Sequence, residues 1–192
     1  MEGRTVNLKR WFRGMFFLLA CILLVTMVWV NLSSAATSKE IDTSVDVVLE
    51  QLRTKVRGGE EFLKATKGVL VLPRVIKAGF IVGGEYGEGA LRIRGKTVDY
   101  YSIAAGSFGA QIGAQQKNVV LIFMEEVAVK WFRASSGWKA GVDGSVTVIN
   151  IGVAGSLDTT NMKDPIIAYV FGQRGLMVNV TLEGAKFTRL KK

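Results

Sequence analysis

Residues Gly79–Thr97 read "GFIVGGEYGEGALRIRGKT", a stretch with six glycines that ends in GKT. Such a stretch is either a loop that wraps phosphates or a glycine-rich sheet. A phosphate loop needs G-x-x-x-x-G-K-[ST] between a strand and a helix, so that backbone N–H groups and a helix N-terminus face the anion. Here Ala90 stands five residues before Gly95, and Gly89 comes one position too early. After Thr97 the chain reads "VDYYSIAAG", rich in Tyr and β-branched residues rather than helical in pattern. The dinucleotide fingerprint G-x-G-x-x-G is missing from the stretch too. A hairpin fits better. With Gly95-Lys96 as a two-residue turn, Arg94 faces Thr97, Ile93 faces Val98, Arg92 faces Asp99 and Leu91 faces Tyr100. That register matches apolar to apolar on one face and sets the opposite charges Arg92 and Asp99 side by side on the other.

The pattern changes on either side of this hairpin. From Lys39 to Arg57, Ile41, Val45, Val48, Leu49, Leu52 and Val56 recur at steps of three and four, which predicts an amphipathic helix. Acidic residues come early in it and basic ones late, the order that complements a helix dipole. Gly58-Gly59 stops it, and a short helical piece over 60–67 comes next. Strands are predicted near 69–73, 76–85, 89–94, 97–105, 107–114 and 118–124. More are predicted near 144–157, 166–172, 175–183 and 185–190. "VLVLP" is read as a strand that Pro73 ends. One helix interrupts the series. Glu125-Glu126 open it, Val127, Ala128, Trp131 and Phe132 give its apolar side, and Lys130 and Arg133 close it. No linker or low-complexity tract divides the chain. The expected fold is one α+β domain: a mainly antiparallel β-sheet or partly closed barrel with a few flanking helices.

The first 36 residues are set apart as a targeting segment. Lys9, Arg10 and Arg13 precede an uncharged apolar run from Gly14 to Val30, and Ser34-Ala35-Ala36 comes after it. This describes a secretory signal peptide cut after Ala36. Two other readings are open: an uncleaved N-terminal membrane anchor, and a lipoprotein processed at Cys21 in "LLAC". All three send residues 37–192 across a membrane, to the periplasm or cell envelope. Beyond Ala36 there is no Cys, and the chain has no His. Disulfides, thiol nucleophiles, Ser–His–Asp triads and His or Cys zinc sites are thereby excluded from the exported part. Four of the 25 basic residues and one of the 16 acidic ones fall within 1–36, so the remainder carries six excess positive charges. That excess suits an anionic surface, and for an exported protein phospholipid is met more often than nucleic acid.

With its strands laid out, the sequence resembles the SYLF domain, also called the Ysc84 family, in its bacterial exported form. The resemblance runs from about Leu63 to Leu190. It rests on "GVLVLPRVIKAGF" at Gly68–Phe80, "GGEYGEGAL" at Gly83–Leu91 and "YYSIAAGSFGAQIGAQ" at Tyr100–Gln115. "GWKAGVDGSV" at Gly137–Val146 and "AYVFGQRGLM" at Ala168–Met177 add to it, while Ile81 stands where a smaller residue is expected. The resemblance implies binding rather than catalysis, with no cofactor. Eukaryotic relatives bind phosphoinositide-containing membranes and some bind actin; an export signal argues against actin here.

Carried over to this chain, lipid binding would fall to the 39–57 helix and to Arg53, Lys55, Arg57, Lys64, Lys67, Arg74 and Lys77. The helix could lie on a membrane, but such a helix more often covers its own sheet. Trp131, Phe132 and Trp138 could anchor at an interface, with burial beside the sheet as the more common role. Glu85 and Glu88 differ by an odd number of residues, so a regular strand turns them to opposite faces, against a catalytic pair. Asp143 and Asp158 in turns are a weak oxygen-ligand metal candidate. The expected function is thus an exported, non-enzymatic binder of anionic phospholipid. The alternative is an envelope protein that docks a protein partner through its sheet surface.

Overall fold

The computed structural model describes residues 36–56, 58–79, 82–108, 113–150, 164–174 and 182–192. Residues 1–35 of the expected leader, with Cys21, lie outside them, as do Arg57, Ile81, Asp158, residues 109–112 and 151–157 of the strands expected near 107–114 and 144–157, and most of the strand expected near 175–183. From Ala36 onward the chain forms one compact unit.

Its first helix, α1 (Ser38–Lys55), starts at Thr37, whose hydroxyl accepts from the Glu40 N–H while the Glu40 carboxylate accepts from the Thr37 N–H. This reciprocal capping satisfies two of the donors that every helix start leaves open. A short helix, α2 (Gly59–Ala65), is next. Then come four long strands: β1 (Gly68–Gly79), β2 (Val82–Ile93), β3 (Lys96–Phe108) and β4 (Gly113–Phe123). Helix α3 (Glu126–Ala134) precedes the short β5 (Trp138–Lys139) and β6 (Thr147–Asn150), and β7 (Ile166–Arg174) and β8 (Lys186–Leu190) complete the series. Hydrogen bonding orders the strands β5-β8-β3-β2-β1-β4-β7-β6. The pairs are antiparallel except β6–β7, which is parallel. The result is an antiparallel-rich half-barrel with three helices among the described residues, as expected.

Among the described residues the early strands are longer than the sequence pattern suggests. The pieces expected at 69–73 and 76–85 fall on β1 and the start of β2, and Pro73 does not end β1. Pairing to β2 jumps from Val71 to Ile76 and pairing to β4 from Leu72 to Val75, so a bulge absorbs the proline inside a central strand. Arg74 in that bulge has φ 51°, and its N–H donates to the Asn118 Oδ1 at 3.1 Å. The chain crowds β2 here. A Cβ on Gly89 would stand 1.9 Å from the Val71 carbonyl oxygen, so only glycine fits.

The expected hairpin forms with its turn one residue earlier, so partners beside the turn lie two residues from the expected ones. Arg94 (φ 51°) and Gly95 (φ 76°) make the turn, Ile93 faces Lys96 and Arg92 faces Thr97. A two-residue turn with both φ positive matches the twist of the strands it joins, and Gly95 occupies the second position at no steric cost. A register shift then brings Leu91 opposite Asp99, so Arg92 and Asp99 do not pair.

Both faces of the sheet are covered along part of its length. On one, Val69, Val71, Ala90, Val120, Ile122, Ile167 and Tyr169 pack against Ile41, Val45, Val48, Leu49 and Leu52 of α1 and Phe62 of α2. Burying this helical stripe against the sheet is what stabilises α1, since an isolated helix of its length is marginal. On the other face Leu70, Leu72, Leu91, Tyr101, Ile103, Leu121 and Phe123 pack against Val129 and Phe132 of α3. The Phe132 ring lies 4.8 Å from Tyr101, 5.0 Å from Phe123 and 5.4 Å from Trp138 between centroids. No helix among the described residues is long and apolar enough to cross a membrane.

Candidate functional site

The β2–β3 turn projects Arg94 between two grooves that share it and Thr66 as walls. The larger, about 690 Å³, runs between α1, α2 and the ends of β1 and β2, with Arg53, Lys64, Arg92, Asp46 and Glu50 on its walls. The smaller, about 420 Å³, lies on the α3 side and is lined by Lys67, Ile93, Arg94, Glu126, Val129, Lys130 and Arg133. Helix α2 sets Lys64 in its last turn, and the strand entry at Thr66-Lys67 is pinned by the Thr66 hydroxyl, 3.0 Å from the Phe123 carbonyl oxygen. α3 supplies Lys130 and Arg133 one turn apart.

Ion pairing separates the two grooves. In the larger one, Arg53 meets Glu50 at 3.4 Å, Lys64 meets Glu60 at 2.8 Å and Arg92 meets Asp46 at 2.9 Å. The Lys64 hydrogen bond draws the Glu60 carboxyl below its usual range and raises the lysine. Arg92 also approaches Asp42, whose carboxylate accepts from Thr97 and Tyr100, and burial with that bond raises the Tyr100 phenol. In the smaller groove, Arg133 meets Asp99 at 2.7 Å. Lys67, Arg94 and Lys130 enter no ion pair among the described residues. With Glu126 the one carboxylate on its walls, the groove keeps an excess of positive charge beside a partly apolar cleft, suited to an anion with several oxygens such as a phosphate monoester or diester.

Residues 104–192 match the family model described as Ysc84, Las17-binding protein actin regulator. That segment is similar to the Ysc84 (SYLF) domain. The match covers the end of β3, β4, α3 and β5–β8 and leaves out α1, α2, β1, β2 and most of β3, including the glycine-rich stretch that carried part of the resemblance. No curated protein matches the chain.

Of the basic residues expected to bind lipid, the fold gathers Arg53 and Lys64 in one groove and Lys67 in the other. Lys55 ends α1, and Arg57 lies outside the described residues. Arg74 sits six residues along β1 from the groove, about 20 Å at the strand rise, and reaches Ser44 of α1. Lys77 is a correction: it is buried on the sheet face that carries Val75, 8% exposed, because strand alternation turns it inward. Sequence reasoning missed Arg92, Arg94, Lys130 and Arg133 as site residues. The alternating cations of "RIRGK" at Arg92–Lys96 were the available signal.

Two expectations about carboxylates and aromatics also meet the geometry. Glu85 and Glu88 face opposite ways: Glu85 is buried 2.9 Å from the Lys117 Nζ, and Glu88 meets Tyr86 and Lys192. Asp143 accepts from the Lys139 N–H, and no three metal-ligand side chains gather among the described residues. Phe132 and Trp138 are buried as expected, but Trp131 and Val127, assigned to the apolar side of α3, are 72% and 58% exposed. The buried side of α3 is instead Val129 and Phe132.

Proposed function

We propose that this protein is an exported, non-catalytic binder of anionic phospholipid, resident in the periplasm or at the cell envelope. The observation that carries the reading is the convergence of Lys67, Arg94 and Lys130, none of them in an ion pair among the described residues, on one groove whose walls hold a single carboxylate, Glu126. Headgroup phosphates supply the missing negative charge, and Arg53, Lys64 and Arg133 extend the basic rim. Export rests on the basic, apolar and small-residue order of the leader. With no His in the chain and no Cys after the leader, binding is favoured over catalysis. The same export argues against actin regulation, the role that the family description names.

Sedimentation with vesicles tests this. The protein pellets with phosphatidylglycerol-containing vesicles, less as salt rises, and little with phosphatidylcholine alone. The triple variant Lys67→Gln/Arg94→Gln/Lys130→Gln weakens binding by about a hundredfold, at about 1 kcal/mol per cation near an anionic surface. Equal, salt-independent pelleting on both vesicle types overturns the proposal. One observation favours a second reading, a protein partner on the sheet. Past the end of α1, Ile76, Tyr86 and Val82 are exposed beside Gly84 and Gly106. A stoichiometric partner recovered in a pull-down, lost on Tyr86→Asp and accompanied by no lipid binding, selects that reading.

A further inference from the structure

A helix of nine residues that buries one side against a sheet normally turns a polar side outward. Helix α3 does not. Val129 and Phe132 point into the core, and the opposite arc holds Val127, Lys130, Trp131 and Ala134, which helical spacing places side by side. Trp131 at 72% exposed is the most open aromatic side chain among the described residues, and Val127 lies one turn before it. Beside this ridge a depression of about 390 Å³ is lined by Trp131, Ala134, Ser135, Trp138 and Asp143, and Asp143 adjoins exposed Val142 in the next turn. On the ridge's other flank lies the groove of Lys67, Arg94 and Lys130.

We infer that α3 is the element of this protein that enters a bilayer: the Trp131 indole and Val127 pass into the boundary between headgroups and acyl chains. Lys67, Arg94 and Lys130 meanwhile hold the surrounding phosphates. The inference rests on the phospholipid reading above and adds the inserting element to it. Three facts choose a bilayer as the occupant. The apolar stripe of α1, the obvious alternative, is spent on the sheet, with Val45 and Leu52 fully buried. Indole prefers the boundary zone, where its ring is apolar and its N–H is hydrated. Finally, the adjoining cations are complementary to anionic headgroups, and an amphipathic helix with lysine beside its apolar face binds membranes in this way.

The test uses the full chain and vesicles of phosphatidylcholine and phosphatidylglycerol in equal parts. Trp131 is made the sole tryptophan by Trp11→Phe, Trp29→Phe and Trp138→Phe, and its emission is read against vesicles with brominated acyl chains. The expected result is a blue shift and strong quenching, with affinity about tenfold weaker in Trp131→Ala, the factor that one partly buried large apolar side chain carries. Val127→Asp, also on the exposed ridge, is a second variant expected to weaken binding likewise, with circular dichroism as the check on folding. If the protein pellets in a salt-dependent way but Trp131 is neither shifted nor quenched, insertion is overturned while headgroup binding stands. If it does not pellet at all, both are overturned. Lipid-free self-association that Trp131→Ala abolishes also overturns insertion, by assigning the ridge to a second copy of the chain.

Discussion

Replacing Gly89 with alanine should damage the protein far more than the same change at Gly84 or Gly106, although all three sit in neighbouring strands. A Cβ at Gly89 would lie 1.9 Å from the Val71 carbonyl oxygen, 2.7 Å from its carbon and 2.8 Å from the Leu72 Cα. Ordinary contact begins at 3.4 Å, so one strand must move by about 1.5 Å relative to the other. The obstructing atoms are backbone, and β1 is held on both sides by β2 and β4, so no side chain can swing away. Overpacking costs about 1–3 kcal/mol when side chains can adjust; with backbone in the way the cost is about 3 kcal/mol or more, a large share of the ~5–15 kcal/mol that holds a domain together. At Gly84 and Gly106 nothing lies within 4 Å of the added atom. There alanine relieves the conformational entropy cost of glycine and gains about 0.5–1 kcal/mol. For a domain of this size 1 kcal/mol moves Tm by about 2–4 °C. Thermal melts followed by circular dichroism should therefore place Gly89→Ala at least about 6 °C below the parent and the other two about 1–4 °C above it. A Gly89→Ala protein melting with the parent would refute the close approach at the β1 bulge.

Removing one member of the buried Lys117–Glu85 pair leaves an uncompensated charge, so Lys117→Met should cost about 3–5 kcal/mol. Adding Glu85→Gln should restore part of it, and urea denaturation of the two singles and the double checks this. The four tyrosines, Tyr86, Tyr100, Tyr101 and Tyr169, all have phenols raised above the free value, chiefly by burial, and Tyr86 is pushed up to about 12. Above pH ~10 the unfolded chain releases phenolic protons that the folded one keeps, so this contribution to stability is intact below pH ~10 and is lost on rising toward 12. Absorbance at 295 nm should stay flat through pH ~10 and then rise together with the loss of circular dichroism. A gradual rise centred at pH ~10 in the folded protein would contradict it.

Helix α1 was readable from the chain because its periodicity and its capping residues are local, and both survive in the fold. The strands were less so. "GGEYGEG" lacks the alternation of a half-buried strand, because Gly87 and Gly89 are there for the approach of β1 and carry no side-chain pattern. Pro73 normally marks a strand end, yet a bulge admits it in mid-strand. The hairpin between Arg92 and Thr97 was legible, but its register depends on backbone dihedrals at Arg94 and on the shift before Asp99. Arg92 then turns to Asp42 and Asp46 of α1, more than forty residues away.

Composition needs no coordinates, so the chemistry that residues 37–192 can offer was settled by the chain alone: no imidazole, no thiol and an excess of cations. The resemblance to the Ysc84 family and the face that α1 buries were legible there too. Which cations act together is a matter of long-range packing. Lys67 just before β1, Arg94 in the β2–β3 turn and Lys130 on α3 meet because the start of β1, the end of β2 and α3 line one groove. Lys77 was lost from the site, and Trp131 added to the surface, by one cause: side-chain direction obeys strand parity and helix phase once a partner element is in place. A residue's type sets what it can bind, and the packing of distant elements sets whether it is there to bind it.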